Sequence, residues 1–236
     1  MNYAIIFAGG RGTRMKTGDK PKQFLEIGGR SILCHTIDKF QKCSEIDGIV
    51  LVTNADYLDY TKSIVLKENY TKILNIVSGG ANPIDSQYNG ILALKSVAKP
   101  NDIILLHDGV RPLIDEDTIL KCINIAKKSG NAITVARAIE TIALADEQNL
   151  IHKTVTRDKC FLARAPQCAR FEELVYYHDL SIKEGVHNFI DTASMLLYYG
   201  KELNSVMGPQ DNIKVTTITD YYMCKVLFEN MVNDDE

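Results

Sequence analysis

The sequence predicts an α/β protein: a Rossmann-like, mostly parallel sheet with helices on both faces and a small projecting β-arm. Three observations carry this. Apolar, β-branched runs alternate with amphipathic stretches from the first residues onward, as in repeated βα units. One run, Asp102-Ile103-Ile104-Leu105-Leu106, is apolar after its first residue and belongs in the middle of a covered sheet. Between Ala138 and Pro166 the pattern weakens to short polar-apolar alternation with Pro and Gly nearly absent, which suits a hairpin rather than a linker.

The elements follow in order. Tyr3-Ala4-Ile5-Ile6-Phe7 is a short buried strand. Leu25-Glu26-Ile27 is an extended piece closed by Gly28-Gly29, and Ser31 caps a helix whose Ile32, Leu33, Ile37 and Phe40 share a face. Gly48 to Thr53 is a strand, Tyr57 to Glu68 a helix and Ile73 to Val77 a strand. Pro83 starts a helix that runs to Ala98, stopped by Pro100-Asn101. After the central apolar strand, Asp115 to Lys128 is helical and Ala132 to Val135 extended. Helices resume at Phe171–Lys183 and Thr192–Tyr199, and Leu203 to Met207 is a strand. Asp211 to Thr216 reads as a turn plus a strand, and Thr219 or Asp220 caps a last helix to about Met231.

Composition narrows the field. The 236 residues, 45% hydrophobic and 24% charged, fit one large α/β domain or two small ones, with a core that needs no disulfides. A formal charge of −3 gives no electrostatic reason for a nucleic-acid partner. The six cysteines form no Cys-x-x-Cys pair, so they read as reduced core thiols of a cytoplasmic protein, not as metal ligands. No leader precedes the first strand, and no apolar run reaches the length of a membrane span.

The chemistry gathers in the turns. Ala8-Gly9-Gly10-Arg11-Gly12-Thr13-Arg14-Met15 leads on to Lys20-Pro21-Lys22-Gln23. Glycines let a backbone turn sharply beside a ligand, and the exposed amides make an anion site. Arg14 and Lys22 add full positive charge, so the stretch reads as a phosphate site, suited to a nucleotide. It is neither a Walker A loop, lacking Gly-Lys-Ser/Thr, nor a dinucleotide fingerprint, since Met15 stands where a third Gly is needed. Ser78-Gly79-Gly80 with Ser86 offers backbone groups and a hydroxyl for a base edge, or is simply a Gly-rich turn before a helix. Asp108 ends a buried strand, where a lone carboxylate is costly, so it needs a charged or metal partner. Arg111, two residues beyond Gly109, supplies one. A structural Asp–Arg pair is the alternative to a binding role, and His107 reads as structural. Loops after four strands, carrying Gly9–Arg14, Ser78–Gly80, Asp108–Arg111 and Lys214, can converge on one crevice.

These motifs resemble the cytidylyltransferases that join CTP to an alditol phosphate, a group that includes the methylerythritol phosphate and ribitol phosphate enzymes. The similarity rests on Ala8-Gly9-Gly10-x-Gly12-x-Arg14-Met15, Pro21-Lys22-Gln23-Phe24-Leu25, His107-Asp108-Gly109-x-Arg111-Pro112 and Asn212-Ile213-Lys214-Val215-Thr216, and runs nearly the whole chain. It implies one nucleotidyltransferase domain over residues 1–236 with the arm at about 138–166, and a homodimer through that arm. It implies transfer of CMP from CTP to an alditol phosphate, with Mg²⁺ and without nucleic acid or membrane. Gly9-Gly10 and Thr13-Arg14-Met15 lean toward D-ribitol 5-phosphate and cell-surface polymer synthesis. Methylerythritol phosphate and glycerol phosphate stay open as acceptors, and so does a regulatory module that binds CTP but releases no pyrophosphate.

The resemblance also implies roles. Arg14, Lys22 and Lys214 act in catalysis. Ala8, Gly9, Gly10, Gly12, Gly80, Ala81, Ser86, Asp108 and Gly109 hold the nucleotide. Asp108, Arg111, Thr141, Arg157, Asp191 and Lys214 hold the acceptor, Thr141 and Arg157 reaching it across a dimer interface. Three positions depart from the family pattern: Pro83 replaces an Arg, and Ala165 and Ile190 each replace a Thr.

Overall fold

A computed structural model describes residues 1–10 and 20–234. In chain order the elements are β1 (Asn2–Ala8), β2 (Glu26–Ile27), β3 (Arg30–Ser31), α1 (Ile32–Lys42), β4 (Gly48–Thr53), α2 (Leu58–Lys67), β5 (Ile73–Ser78), α3 (Pro83–Leu92) and β6 (Ile103–Asp108). Then come α4 (Glu116–Ser129), β7 (Asn131–Arg137), β8 (Ile142–Ala145), β9 (Ile151–Val155), β10 (Phe161–Arg170), α5 (Phe171–Glu184), α6 (Thr192–Tyr198), β11 (Ser205–Met207) and α7 (Ile218–Asp234). The main sheet has seven strands in the order β11-β7-β10-β6-β1-β4-β5. All neighbours run parallel except β10, which is antiparallel to both β6 and β7.

Strand alternation divides the core in two. Ala4 and Ile6 of β1, with Leu51 and Leu105, face α1, α2 and α4. Tyr3 and Ile5, with Val52 and Leu106, face α3, α5 and α6. β6 is buried along its apolar length, as a central strand covered on both faces must be. Helix starts are capped as the sequence suggests: the Ser31 side chain accepts from Cys34 N, and the Asp115 side chain from Thr118 N. α7 lays Cys224, Leu227 and Phe228 over Val110, Val215 and Ile32.

Three expectations change. The arm is shorter than 138–166: β8 and β9 form a separate two-stranded hairpin, whereas Phe161 to Pro166 already belong to the main-sheet strand β10. Isolated Arg and Pro residues hid that strand from a pattern reading. Asn212 to Thr216 is not a strand; it is an extended segment tied by Val215 N–H to the Val110 carbonyl at 3.0 Å. The last helix is capped by Thr217 rather than Thr219 or Asp220: Asp220 N–H donates to the Thr217 hydroxyl, and Asp220 accepts in return from Thr217 N–H.

One irregularity matters later. β10 pairs Ala163 with Val135 and Gln167 with Ile133, so residues 164–166 stand opposite Thr134 alone. Thr134 Oγ1 donates to the Pro166 carbonyl at 2.7 Å and pins this bulge. Bulges re-aim side chains, and this one lifts 164 and 165 out of the ladder.

Candidate active site

A crevice of ≈ 1060 Å³ opens beyond the carboxyl ends of β1, β4, β5 and β6. Strand order reverses here, from β1 toward β4 on one side and β6 on the other, which is where open α/β sheets bind ligands.

The first wall is backbone. Ala8, Gly9 and Gly10 leave β1 into the crevice. A Cβ on Gly9 would meet nothing closer than 3.6 Å, and one on Gly10 only Lys22 Cε at 3.4 Å. Packing among the described residues therefore does not demand these two glycines, and their small size leaves space on the crevice side. Lys22 lies buried along this stem, and Gln23 Nε2 donates to the Ala8 carbonyl at 2.6 Å. Across from them Gly79 N–H donates to the Thr53 carbonyl at 2.7 Å, and Gly80 N–H to Ser86 Oγ at 3.0 Å. Ser86 Oγ donates in turn to the Asn82 carbonyl at 3.0 Å. Ser86 is thus a brace of the Gly79–Asn82 loop, keeping one lone pair for a ligand. Asn82 caps α3 and Pro83 takes the first helical position, so the residue in place of an Arg pre-organises the same turn.

The second wall is charged. Asp108 Oδ1 pairs with Lys214 Nζ at 2.6 Å, and Oδ2 with Arg111 Nε at 2.8 Å. Burial pushes the Asp108 carboxyl up, but Lys214 and then Arg111 outweigh it and hold the carboxyl down at about 2. Arg111 Nη1 donates to the Asn212 carbonyl at 2.8 Å, and Arg164 Nη1 to the same oxygen at 2.6 Å. Asn212, fully buried, donates from Nδ2 to the Ala165 carbonyl at 2.8 Å. Asp191 caps α6, accepting from Ser194 N–H at 2.8 Å and from Gln167 Nε2 at 2.7 Å. His107 lies beneath this wall with no exposure, its Nε2 3.2 Å from the Arg111 carbonyl. Burial pushes its imidazole down to about 4, against the pull of Asp108, so it stays neutral and structural near pH 7.

The crevice brings together Ala8, Gly9, Gly10, Lys22, Gly80, Ala81, Ser86, Asp108, Arg111, Asp191 and Lys214. Gly109 is not on its surface. Its N–H turns under to the Phe7 carbonyl at 2.8 Å, and a Cβ there would come within 2.9 Å of that oxygen, so packing alone demands a glycine. Thr141 and Arg157 are exposed on and beside the hairpin, outside the lining. Gly12 and Arg14 lie outside the described residues. Sequence reading missed Gln167 and Arg164, which also line the crevice. The signal for Arg164 was a lone Arg in an otherwise apolar Phe161–Ala165 run.

Among the described residues no group of three or more His, Cys, Asp or Glu could enclose a metal ion. All six cysteines are free thiols, and no helix among the described residues is long and apolar enough to cross a membrane.

A Rossmann-like sheet whose crevice sets a glycine turn and Lys22 opposite Lys214 and Arg111 defines a nucleotidyltransferase. Comparison with known proteins makes it more particular. The 2-C-methyl-D-erythritol 4-phosphate cytidylyltransferase (IspD) family model matches residues 2–230, and the chain belongs to that family. It is 41% identical over 234 residues to a ribitol-5-phosphate cytidylyltransferase of Streptococcus agalactiae, covering 99% of this chain and 98% of that one. It is 37% identical to a 2-C-methyl-D-erythritol 4-phosphate cytidylyltransferase of Clostridium acetobutylicum, covering 97% and 98%. The crystal structure of 4-diphosphocytidyl-2C-methyl-D-erythritol synthase from Anaerococcus prevotii superposes with a TM-score of 0.80 at 28% identity, covering 96% and 95%. The chain is an enzyme, a cytidylyltransferase of this family.

Proposed function

We propose that the chain transfers CMP from CTP to D-ribitol 5-phosphate, giving CDP-ribitol and pyrophosphate. The observation that carries this is the crevice with cations on both walls, in a chain 41% identical end to end to enzymes named for ribitol 5-phosphate. 2-C-methyl-D-erythritol 4-phosphate is the second reading, favoured by the family model and the 37% relative.

An acceptor phosphate oxygen attacks the α-phosphorus of CTP in line, and pyrophosphate leaves. A phosphate monoester loses its second proton at a pKa of about 6, so the nucleophile is already charged and no general base is required. This fits a site without a Ser-His-Asp or paired-carboxylate arrangement among its described residues. The barrier is the meeting of two anions, which positioning and fixed cations lower. In this reading Lys22 and Arg14 hold the triphosphate and leaving group. Lys214 neutralises the charge building on the equatorial oxygens, and Asp108, with both oxygens engaged, aims Lys214 and Arg111. Mg²⁺, were it carried in with the triphosphate, would supply further positive charge against the phosphate oxygens. Ala8 to Gly10, Gly80, Ala81 and Ser86 seat the nucleotide, and Asp191 with Arg111 flanks the acceptor. Thr141 and Arg157 serve a neighbouring subunit of a homodimer through the arm, and the free thiols suit a cytoplasmic enzyme.

The test is a panel. Purified enzyme with CTP and Mg²⁺ receives ribitol, methylerythritol or glycerol phosphate, and pyrophosphate release is followed. The highest kcat/KM belongs to ribitol 5-phosphate. A preference for methylerythritol phosphate would install the second reading, and CTP binding without pyrophosphate from any acceptor would leave a non-catalytic module.

A further inference from the structure

We infer that Arg164 is an acceptor-phosphate ligand supplied by the chain's own β10 bulge. The inference rests on the proposed reaction and adds a residue to it.

Three observations converge. The bulge at 164–166 takes Arg164 out of the sheet and sets it on the crevice wall between Ala163 and Ala165. Its guanidinium is half-buried, yet among the described residues it forms no ion pair with a carboxylate; its one protein bond is Nη1 to the Asn212 carbonyl. Arg111 Nη1 donates to that same oxygen, so two cations crowd one neutral acceptor. Burial and then the Arg111 charge make the charged form of Arg164 harder to hold, only partly offset by Asp211. A guanidinium stays protonated regardless, so Arg164 keeps its full charge on this wall. Lys214, Arg111 and Arg164 stand there with Asp108 as the carboxylate paired to the first two.

That arrangement is poor for stability alone and well suited to an anion. Among the described residues the Nε–Nη2 edge of Arg164 has no hydrogen-bond partner, and the residue lines the crevice. That edge is the fork that binds two phosphate oxygens at once. Ala163, Ala165, Ile190 and Asp191 also line the crevice, on the side that the proposed reaction gives to the acceptor. The CTP side is lined by Gly79, Gly80 and Ser86, on the far edge of the sheet. Arg164 and Lys214 would then grip the acceptor phosphate, the group whose oxygen attacks.

The alternative is that Arg164 only props the Asn212 turn carrying Lys214. The two differ in what moves. Arg164→Ala and Arg164→Lys are compared with wild type in steady-state kinetics against both substrates, with thermal midpoints as a folding check. Acceptor KM rises about 30-fold or more in Arg164→Ala, as for loss of one partner of a desolvated charge pair. CTP KM stays within about twofold, and Arg164→Lys recovers part of the loss because one ammonium replaces a fork. A fall in kcat with both KM values unchanged, or equal rises in both, would leave Arg164 a prop and overturn the inference. Calorimetric titration with inorganic phosphate separates this from the reaction assignment. Wild type binds phosphate and Arg164→Ala binds it at least about tenfold more weakly; equal binding counts against Arg164. If no alditol phosphate is turned over, the functional reading falls and the titration still decides on this residue.

Discussion

The two walls of the crevice are built on opposite principles. The wall proposed for the nucleotide is shaped by main chain, and at Gly79 and Gly80 by glycines the protein itself requires: a Cβ on Gly80 would fall 2.3 Å from Asp85 Cβ, and one on Gly79 2.8 Å from Ser86 Oγ. The wall proposed for the acceptor is made of long side chains whose charges are set against each other: Asp108, Arg111 and Lys214, with Arg164 alongside. A main-chain wall selects by shape and is spoiled by bulk. A charged wall selects by electrostatics and is spoiled by loss of charge. A small pyrimidine suits the first and a flexible phosphorylated polyol the second.

The largest effect should come from the charged wall. Lys214→Ala loses about 2.7–4 kcal/mol of transition-state stabilisation, or roughly 10²–10³ in kcat, if Lys214 faces the reacting phosphates. Its side chain is 43% exposed, so the fold survives, as circular dichroism would verify. Turnover near wild type in the folded variant would move the chemistry away from this wall.

Bulk on the other wall comes next. Gly80→Ala forces the loop off Asp85, including backbone atoms at 3.0 Å, a strain of about 1–3 kcal/mol. CTP KM should rise while the KM for ribitol 5-phosphate holds. A parallel rise in both would mean the walls are mechanically one unit, and the contrast drawn above would fail.

Beneath the charged wall, mild acid should cost stability. His107, beneath it, has its imidazole held down at about 4 in the folded state against an unfolded value of 6.5. Below 6.5 the unfolded chain takes up a proton that the folded chain refuses, so stability present at neutral pH drains as pH falls toward 4. Between pH 7.5 and 5 the loss is roughly 2 kcal/mol for this one residue. Burial also pushes His178, which sits on α5 and stacks on Tyr88 of α3, down to about 4, and it adds a further share. Urea unfolding at both pH values measures the total. His107→Leu should show the smaller drop, keeping the His178 share; an unchanged slope would mean His107 is not held neutral.

The same contrast explains what the sequence disclosed. Backbone walls announce themselves locally, because the glycines sit where the chain turns. Gly9-Gly10 and Gly79-Gly80 needed no partner to be noticed, and the βα alternation followed from strand and helix periods. The charged wall is assembled from residues 108 to 214, and only geometry brings them together. Asp108, Arg111 and Lys214 were found through motifs. Arg164 was not, because its position depends on a bulge and on β10 running antiparallel between β6 and β7. Pattern reading saw alternation there and extended the arm through it. Gly109 shows the converse: a glycine in a motif reads as a ligand contact, while packing alone already demands one here because Phe7 and Leu33 press on it.

Ser86 gives the smallest and sharpest test. Its hydroxyl links Gly80 N–H to the Asn82 carbonyl, which makes it a loop brace, and its remaining lone pair could also receive a base amino group. Ser86→Ala removes both and should cost about 1 kcal/mol, near a fivefold rise in CTP KM. The ratio between CTP and UTP separates the two roles. Cytosine presents an amino donor where uracil presents a carbonyl, so a hydroxyl that reads the base changes the ratio when removed. A brace shifts both nucleotides together. An unchanged ratio would confine base selection to the Gly79–Ala81 main chain and make the nucleotide wall a matter of backbone alone.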